Sequence, residues 1–141
     1  MQHLVFVYGT LKEDFPNFAK NAGSRLPGLF VTVERYPLYV VGERFSPWLI
    51  NRPGKGERVT GQIFEVDAPA LAAMDTLERI TEADGYRRIL LALEPVPAHK
   101  GNRLQAFTYL KQAEHFAPSP DNIGPLGEYT MEHAALYRRR A

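Results

Sequence analysis

Leu4-Val5-Phe6-Val7-Tyr8-Gly9-Thr10-Leu11, residues 4–11, is the stretch from which the fold can be read. Residues 4–8 form an unbroken run of β-branched, aromatic and aliphatic side chains. A strand with one wet face alternates apolar with polar, so this run predicts a strand buried on both faces. Gly9 ends it. Just beyond a strand end, successive backbone N–H groups can curl into a nest that binds an anion, and Thr10 adds a hydroxyl there. A glycine also lets a ligand approach the backbone closely. The plain alternative is an ordinary strand-ending turn, and these eight residues alone do not decide between the two.

Working outward, Asn17 is a candidate N-cap for a short helix over 18–22, with Gly23 as its stop. Strands are predicted over 29–33 and 36–41, with Pro37 delaying the second or placing it at an edge. Residues 47–50 suggest a short extended piece. The Arg52–Glu57 stretch is turn chemistry, and a strand over 59–66 carries Gly61 inside it. The clearest helix signal follows. Asp67 can cap, Pro69 sits in the first turn, and Leu71, Met74 and Leu77 recur on one face. Strands over 86–93 and 103–111 come next. After Lys111 the pattern weakens into a proline-rich segment, with a terminal helix possible over 129–138. This order predicts an α+β fold: a small, mostly antiparallel sheet that could close into a barrel, with few helices. It also predicts a catalytic domain over 1–111 and an irregular C-terminal extension over 112–141.

Composition narrows the chemistry. The 141 residues fit one domain, and a net charge of +1 gives no reason to expect nucleic acid or an anionic membrane as partner. No cysteine is present, which excludes disulfides and thiolate catalysis. No apolar run approaches a membrane span and no leader pattern precedes the first strand, so a cytoplasmic protein is expected. His3, His99, His115 and His133 are scattered and predict no metal. The triple arginine at 138–140 reads as a solvated end.

Glu78 is the remaining feature. It lies seven residues after Leu71 and four after Met74, at the border of the helix's apolar stripe. A carboxylate buried there holds its proton tightly, which suits a general base working near neutral pH. If the helix ends at Leu77, Glu78 would instead sit at a solvated terminus beside Arg79, and periodicity leaves both readings open. Asp75 points to another face, and Asp67 is better used as a cap.

Several pieces together resemble the γ-glutamylcyclotransferase-like superfamily, and most closely its γ-glutamylamine cyclotransferase branch with the avirulence-induced-gene-like proteins. They are residues 5–12, Pro16-Asn17, Tyr36-Pro37-Leu38, Gly42-Glu43, Pro47-Trp48-Leu49, residues 61–67, Met74-Asp75-Thr76-Leu77-Glu78, and Tyr86-x-Arg88, in family order. The resemblance implies an α+β barrel-like fold without a cofactor, acting on a small γ-glutamyl compound. Carried over residue by residue, it implies that Tyr8, Gly9, Thr10 and Leu11 cradle the substrate, that Tyr86 lines the pocket, and that Glu78 is the catalytic acid/base. The implied reaction converts a γ-glutamyl amine or peptide to 5-oxoproline and a free amine. The alternative is a non-catalytic domain binding the same kind of ligand. The link from Arg79 to Gly85 departs from the family pattern in its length and its lack of a proline, which makes Glu82 a candidate second acid.

Overall fold

The computed structural model describes residues 2–98 and 101–139, so His99 and Arg140 lie outside the described residues. Among the described residues, eight strands and two α-helices follow one another as β1 (His3–Val7), β2 (Ser24–Arg25), β3 (Leu29–Thr32), β4 (Leu38–Val41), β5 (Ser46–Leu49), β6 (Thr60–Val66), α1 (Ala68–Leu77), β7 (Arg87–Val96), β8 (Leu104–Leu110) and α2 (Met131–Ala134).

The main sheet runs β1-β8-β7-β3-β6, and β6 pairs back onto β1, so five strands close into a barrel; β2 hangs on β6. Every pairing in it is antiparallel except that of β1 with β8, which meet at Val5 and Phe107. β4 and β5 form a separate hairpin. The fold is therefore α+β with a mostly antiparallel barrel-like sheet.

The first strand explains why closure works. Its side chains alternate between two cores, with Phe6 and Tyr8 packing inside the barrel and Val5 and Val7 under α1. Both faces are covered, as the unbroken apolar run requires. Gly61 permits the tight β1–β6 seam, since a Cβ there would stand 2.4 Å from the Val7 carbonyl oxygen. Asp67 caps α1 by accepting from the Ala70 amide at 2.9 Å. Leu71 and Met74 bury that helix against the sheet, each contributing about 2 kcal/mol.

Three expectations change. The short helix over 18–22 is a 3-10 turn over Phe18–Lys20, because the Asn17 side chain bonds elsewhere and does not cap it. The strand expected from Tyr36 begins at Leu38; Tyr36 makes an isolated bridge to Glu57 before Pro37. The terminal helix shrinks to a single turn. Tyr129, just before it, is fully buried in the barrel core, and Tyr137 joins a wall described below.

The segment after Lys111 packs tightly. Ile123 exchanges backbone hydrogen bonds with Val40, and the Leu126 amide donates to Leu38. The buried Lys12 ammonium donates to the Tyr129 carbonyl. No helix among the described residues is long and apolar enough to cross a membrane.

Candidate active site

At one end of the barrel a cavity of about 990 Å³ opens between β1, the C-terminal end of α1, the β4–β5 hairpin and the chain's last turns. Tyr8, Gly9, Thr10, Leu11, Glu78 and Tyr86 all line it. The turn after β1 is closed by the Lys12 amide donating to Gly9 at 3.1 Å, and by the Asn17 amide donating to Thr10 at 2.8 Å. No acceptor among the described residues takes the amide protons of Gly9, Thr10 or Leu11. Those three groups are therefore available to a ligand's oxygen.

Gly9 also has a packing role. A Cβ built on it would stand 2.6 Å from Pro47 Cγ, so the β5 proline fills that side and the glycine lets the two segments pass.

Glu78 is the C-cap of α1, its amide donating to Met74 at 2.9 Å. Arg79 then adopts the left-handed conformation (φ 55°) and reverses the chain. Gly85 passes so close to the Arg79 carbonyl that a Cβ would meet its oxygen at 1.8 Å. The Tyr86 amide returns to the Glu78 carbonyl at 3.0 Å, closing the loop. The helix thus ends at Leu77, yet the Glu78 side chain turns into the cavity rather than into solvent. Burial raises its pKa from 4.5 to about 7, while Lys111 and then Arg44 pull it back down. Glu82 is exposed on the loop and is not part of the cavity wall.

Around Glu78 stand three phenols. Tyr8 donates to the Tyr109 carbonyl at 2.7 Å and Tyr86 to the Pro47 carbonyl at 2.8 Å. Burial, with the Glu78 charge adding to it, pushes both pKa values well up, so they stay neutral donors. Tyr109 donates to Asp75 Oδ1 at 2.7 Å, and Asp75 Oδ2 accepts from Arg88 at 2.6 Å. Asp75, on the helix face away from Met74, thereby latches the end of α1 to β7 and β8. Lys111 lies over the rings of Trp48 (4.6 Å) and Tyr86 (4.4 Å) and donates to the Asp84 carbonyl. Arg44, on the turn between β4 and β5, completes the wall with Tyr137.

Sequence reading missed Tyr109, Lys111, Arg44, Asn17 as a site residue, and Tyr137. Asn17 is held by the turn it makes with Thr10, and the others reach the cavity through pairing between distant segments that spacing does not encode. Arg138 and Arg139 are exposed, as a solvated end would be, and they are also tied to the body: the Arg138 amide donates to the Arg44 carbonyl at 2.9 Å, and Arg139 donates to the Pro16 carbonyl. Among the histidines, His115 lines the cavity and His133 accepts from the Thr130 amide. No group of three histidine, aspartate or glutamate side chains among the described residues could hold a metal.

Comparison with known proteins returns one consistent kinship. Residues 5–140 match the family model "Gamma-glutamyl cyclotransferase, AIG2-like". A zebrafish (Danio rerio) protein named gamma-glutamylaminecyclotransferase B is 40% identical over 141 residues, covering 93% of this chain and 73% of that protein. The Bos taurus gamma-glutamylaminecyclotransferase is 39% identical, covering 96% and 82%. A crystal structure of an AIG2-like protein from Mus musculus superposes with a TM-score of 0.80 at 32% identity, covering 99% of this chain and 97% of that one.

Proposed function

The chain belongs to the γ-glutamyl cyclotransferase, AIG2-like family, and from that premise we propose how its own residues carry the reaction. It is a γ-glutamylcyclotransferase: it closes the γ-glutamyl part of a γ-glutamyl amine or peptide into 5-oxoproline and releases the amine. Glu78 is the proton carrier in this reading, and the amides of Gly9, Thr10 and Leu11 hold the carbonyl oxygen.

The nucleophile is the substrate's own α-amine, so proximity is built into the substrate once it is folded back. Ionised Glu78 takes a proton from the α-ammonium. The freed nitrogen attacks the γ-carbonyl carbon, and the negative oxygen that forms is met by the turn's amides. Glu78 gives its proton to the departing nitrogen and the carbon–nitrogen bond breaks. The ring nitrogen's second proton passes to Glu78 and leaves once the amine has gone. Tyr8 and Tyr86, both neutral, add no charge of their own around this transfer.

One observation carries the reading: a carboxylate whose pKa sits at about 7, on the cavity that the unpartnered amides of the β1 turn also line. A group poised near ambient pH can both accept and return a proton. A domain that only bound a γ-glutamyl ligand would have no use for it. The substrate partner is a small molecule, and the reading includes a cytoplasmic setting, supported by the cysteine-free composition.

The test is incubation with a panel of γ-glutamyl amines and dipeptides, with 5-oxoproline measured. Turnover by the wild type and a loss of at least a hundredfold in Glu78→Gln are expected. Undiminished turnover in that variant would remove Glu78 from its role.

A further inference from the structure

The loop from Glu78 to Tyr86 holds a shape that its own backbone disfavours. Arg79 is a non-glycine residue at φ 55°, and Gly85 runs hard against the Arg79 carbonyl. A left-handed non-glycine residue persists where its surroundings over-determine it. Inside the loop, the Glu82 amide donates to Arg79 at 2.9 Å, Gly85 to Glu82 at 3.1 Å and Tyr86 to Glu78 at 3.0 Å. No backbone amide among the described residues donates to the carbonyls of Ile80 or Gly85.

One side chain gathers these carbonyls. Arg87 Nη1 stands 3.1 Å from the Ile80 oxygen, 3.0 Å from Glu82, 3.4 Å from Gly85 and 3.1 Å from Tyr86, sharing its protons among them. Its Nε donates at 3.1 Å to the Gln112 side chain, whose amide in that orientation donates in turn to Glu114. The loop's other ties reach less of it. Arg79 and Asp84 pair at 3.1 Å, but Asp84 is largely exposed and solvent weakens the pair. Lys111 donates to one carbonyl, that of Asp84. A guanidinium carries five donors on a rigid, permanently charged plane, which suits it to collecting several carbonyls at once.

Arg87 does not line the cavity, whereas the two ends of the loop, Glu78 and Tyr86, both do. We propose that Arg87 is a positioning residue for the cyclisation: its guanidinium draws the loop's carbonyls into one turn, and that turn aims the Glu78 carboxylate into the cavity. This rests on the cyclisation reading above. Burial holds the Glu78 carboxyl up at about 7. Lys111, just beyond β8, and Arg44, on the β4–β5 turn, pull it down, and the phenols of Tyr8, Tyr86 and Tyr109 stand around it. A slackened loop lets water reach the carboxylate, so its pKa falls toward 4.5. Losing a cation that acted on Glu78 through charge alone would raise it instead. The direction of the shift separates positioning from plain electrostatics.

The experiment uses Arg87→Met, which keeps an unbranched stem without donors, and Arg87→Lys, which returns the charge and some donors. On a γ-glutamyl amine that the wild type turns over, Arg87→Met should lower kcat/KM at pH 8 at least tenfold, mainly through kcat. The midpoint of its pH–rate profile should fall by one unit or more, and Arg87→Lys should lie between it and the wild type. A midpoint that stays or rises in Arg87→Met overturns the proposal. If Arg87→Met folds poorly, Arg87→Lys carries the test, with a smaller shift in the same direction; an unmoved midpoint there overturns it too. A second readout needs no turnover. Urea unfolding of Glu78→Gln against its parent, at pH 4 and pH 8, gives the pH-dependent gain from removing the buried carboxyl. That gain should shrink by at least half in the Arg87→Met chain. A gain of full size there, or one already absent in the wild type, overturns the positioning role. A wild type that forms no 5-oxoproline overturns the cyclisation reading, and the unfolding measurement still decides what Arg87 does to Glu78.

Discussion

Replacing Glu78 by glutamine should make the protein more stable while it makes it inactive, and the gain should depend on pH in a calculable way. In the folded protein the Glu78 carboxyl ionises at about 7 instead of 4.5, because burial penalises the charge. Below pH 4.5 the group is protonated in both folded and unfolded chains and contributes nothing to the difference. Between 4.5 and about 7 the unfolded chain releases the proton while the folded one keeps it, so stability falls as pH rises. Above about 7 both forms are charged and the penalty is complete. At about 1.4 kcal/mol per pH unit, the interval is worth about 3 kcal/mol. Glutamine has no such titration.

The assay is urea unfolding of wild type and Glu78→Gln at pH 4 and at pH 8. Other ionisable groups are common to both proteins, so they cancel when the two are subtracted at each pH. The stability difference should move in favour of the variant by about 3 kcal/mol between the two pH values. A difference that stays constant with pH, or moves toward the wild type at pH 8, would refute a buried, proton-retaining Glu78. It would remove the physical basis of the catalytic reading as well.

Other expectations follow from the same geometry. The kcat/KM of the wild type should rise with pH through about 7, where Glu78 becomes the base, and a pH–rate profile checks it. Lys111→Met removes the cation that acts most strongly on Glu78 and should move that midpoint to higher pH; an unmoved midpoint would mean the lysine is too distant to matter. Gly9→Ala drives a methyl into Pro47 and should cost about 1–3 kcal/mol in thermal unfolding, a loss that Pro47→Ala in the same chain partly restores. Asp75→Ala leaves the Tyr109 hydroxyl and the Arg88 guanidinium without their shared acceptor. It should cost about 1–3 kcal/mol and lower kcat more than it raises KM, as steady-state kinetics would show.

Local pattern revealed the parts of this molecule that local physics determines. The residue 4–8 run told of a strand with two dry faces, and Asp67 with Leu71 and Met74 told of a capped helix on the core. β2, only two residues long, has no period to detect. Glu78 was ambiguous for a definite reason: the helix does end at Leu77, and only the left-handed Arg79 and the return of Tyr86 turn its side chain inward. Asn17 has the chemistry of a cap, but its Nδ2 is held by Thr10 and Tyr137, and its Oδ1, the atom that would cap, takes no helix amide. The arginines near the end are solvated as their charge suggests, but charge pattern is blind to the tie between Arg138 and the Arg44 loop, which lies about ninety residues earlier in the chain. Lys111 and Tyr109 enter the site through β8, whose neighbours are set by barrel closure rather than by anything adjacent in sequence.

That closure also orders events in time. β7 and β8 are neighbours along the chain and can zip together early, whereas β1 must find both β6 and β8, and its pairing with β8 at Val5 and Phe107 spans most of the sequence. Contacts between such distant segments carry the largest loop-closure cost and are slow to form. Tyr8 through Leu11 are the direct continuation of β1, so the turn proposed to hold the carbonyl oxygen is built by the same slow step that seals the barrel. A refolding chain should therefore recover its native circular-dichroism spectrum in part before any 5-oxoproline is produced. Catalysis marks the arrival of the first strand.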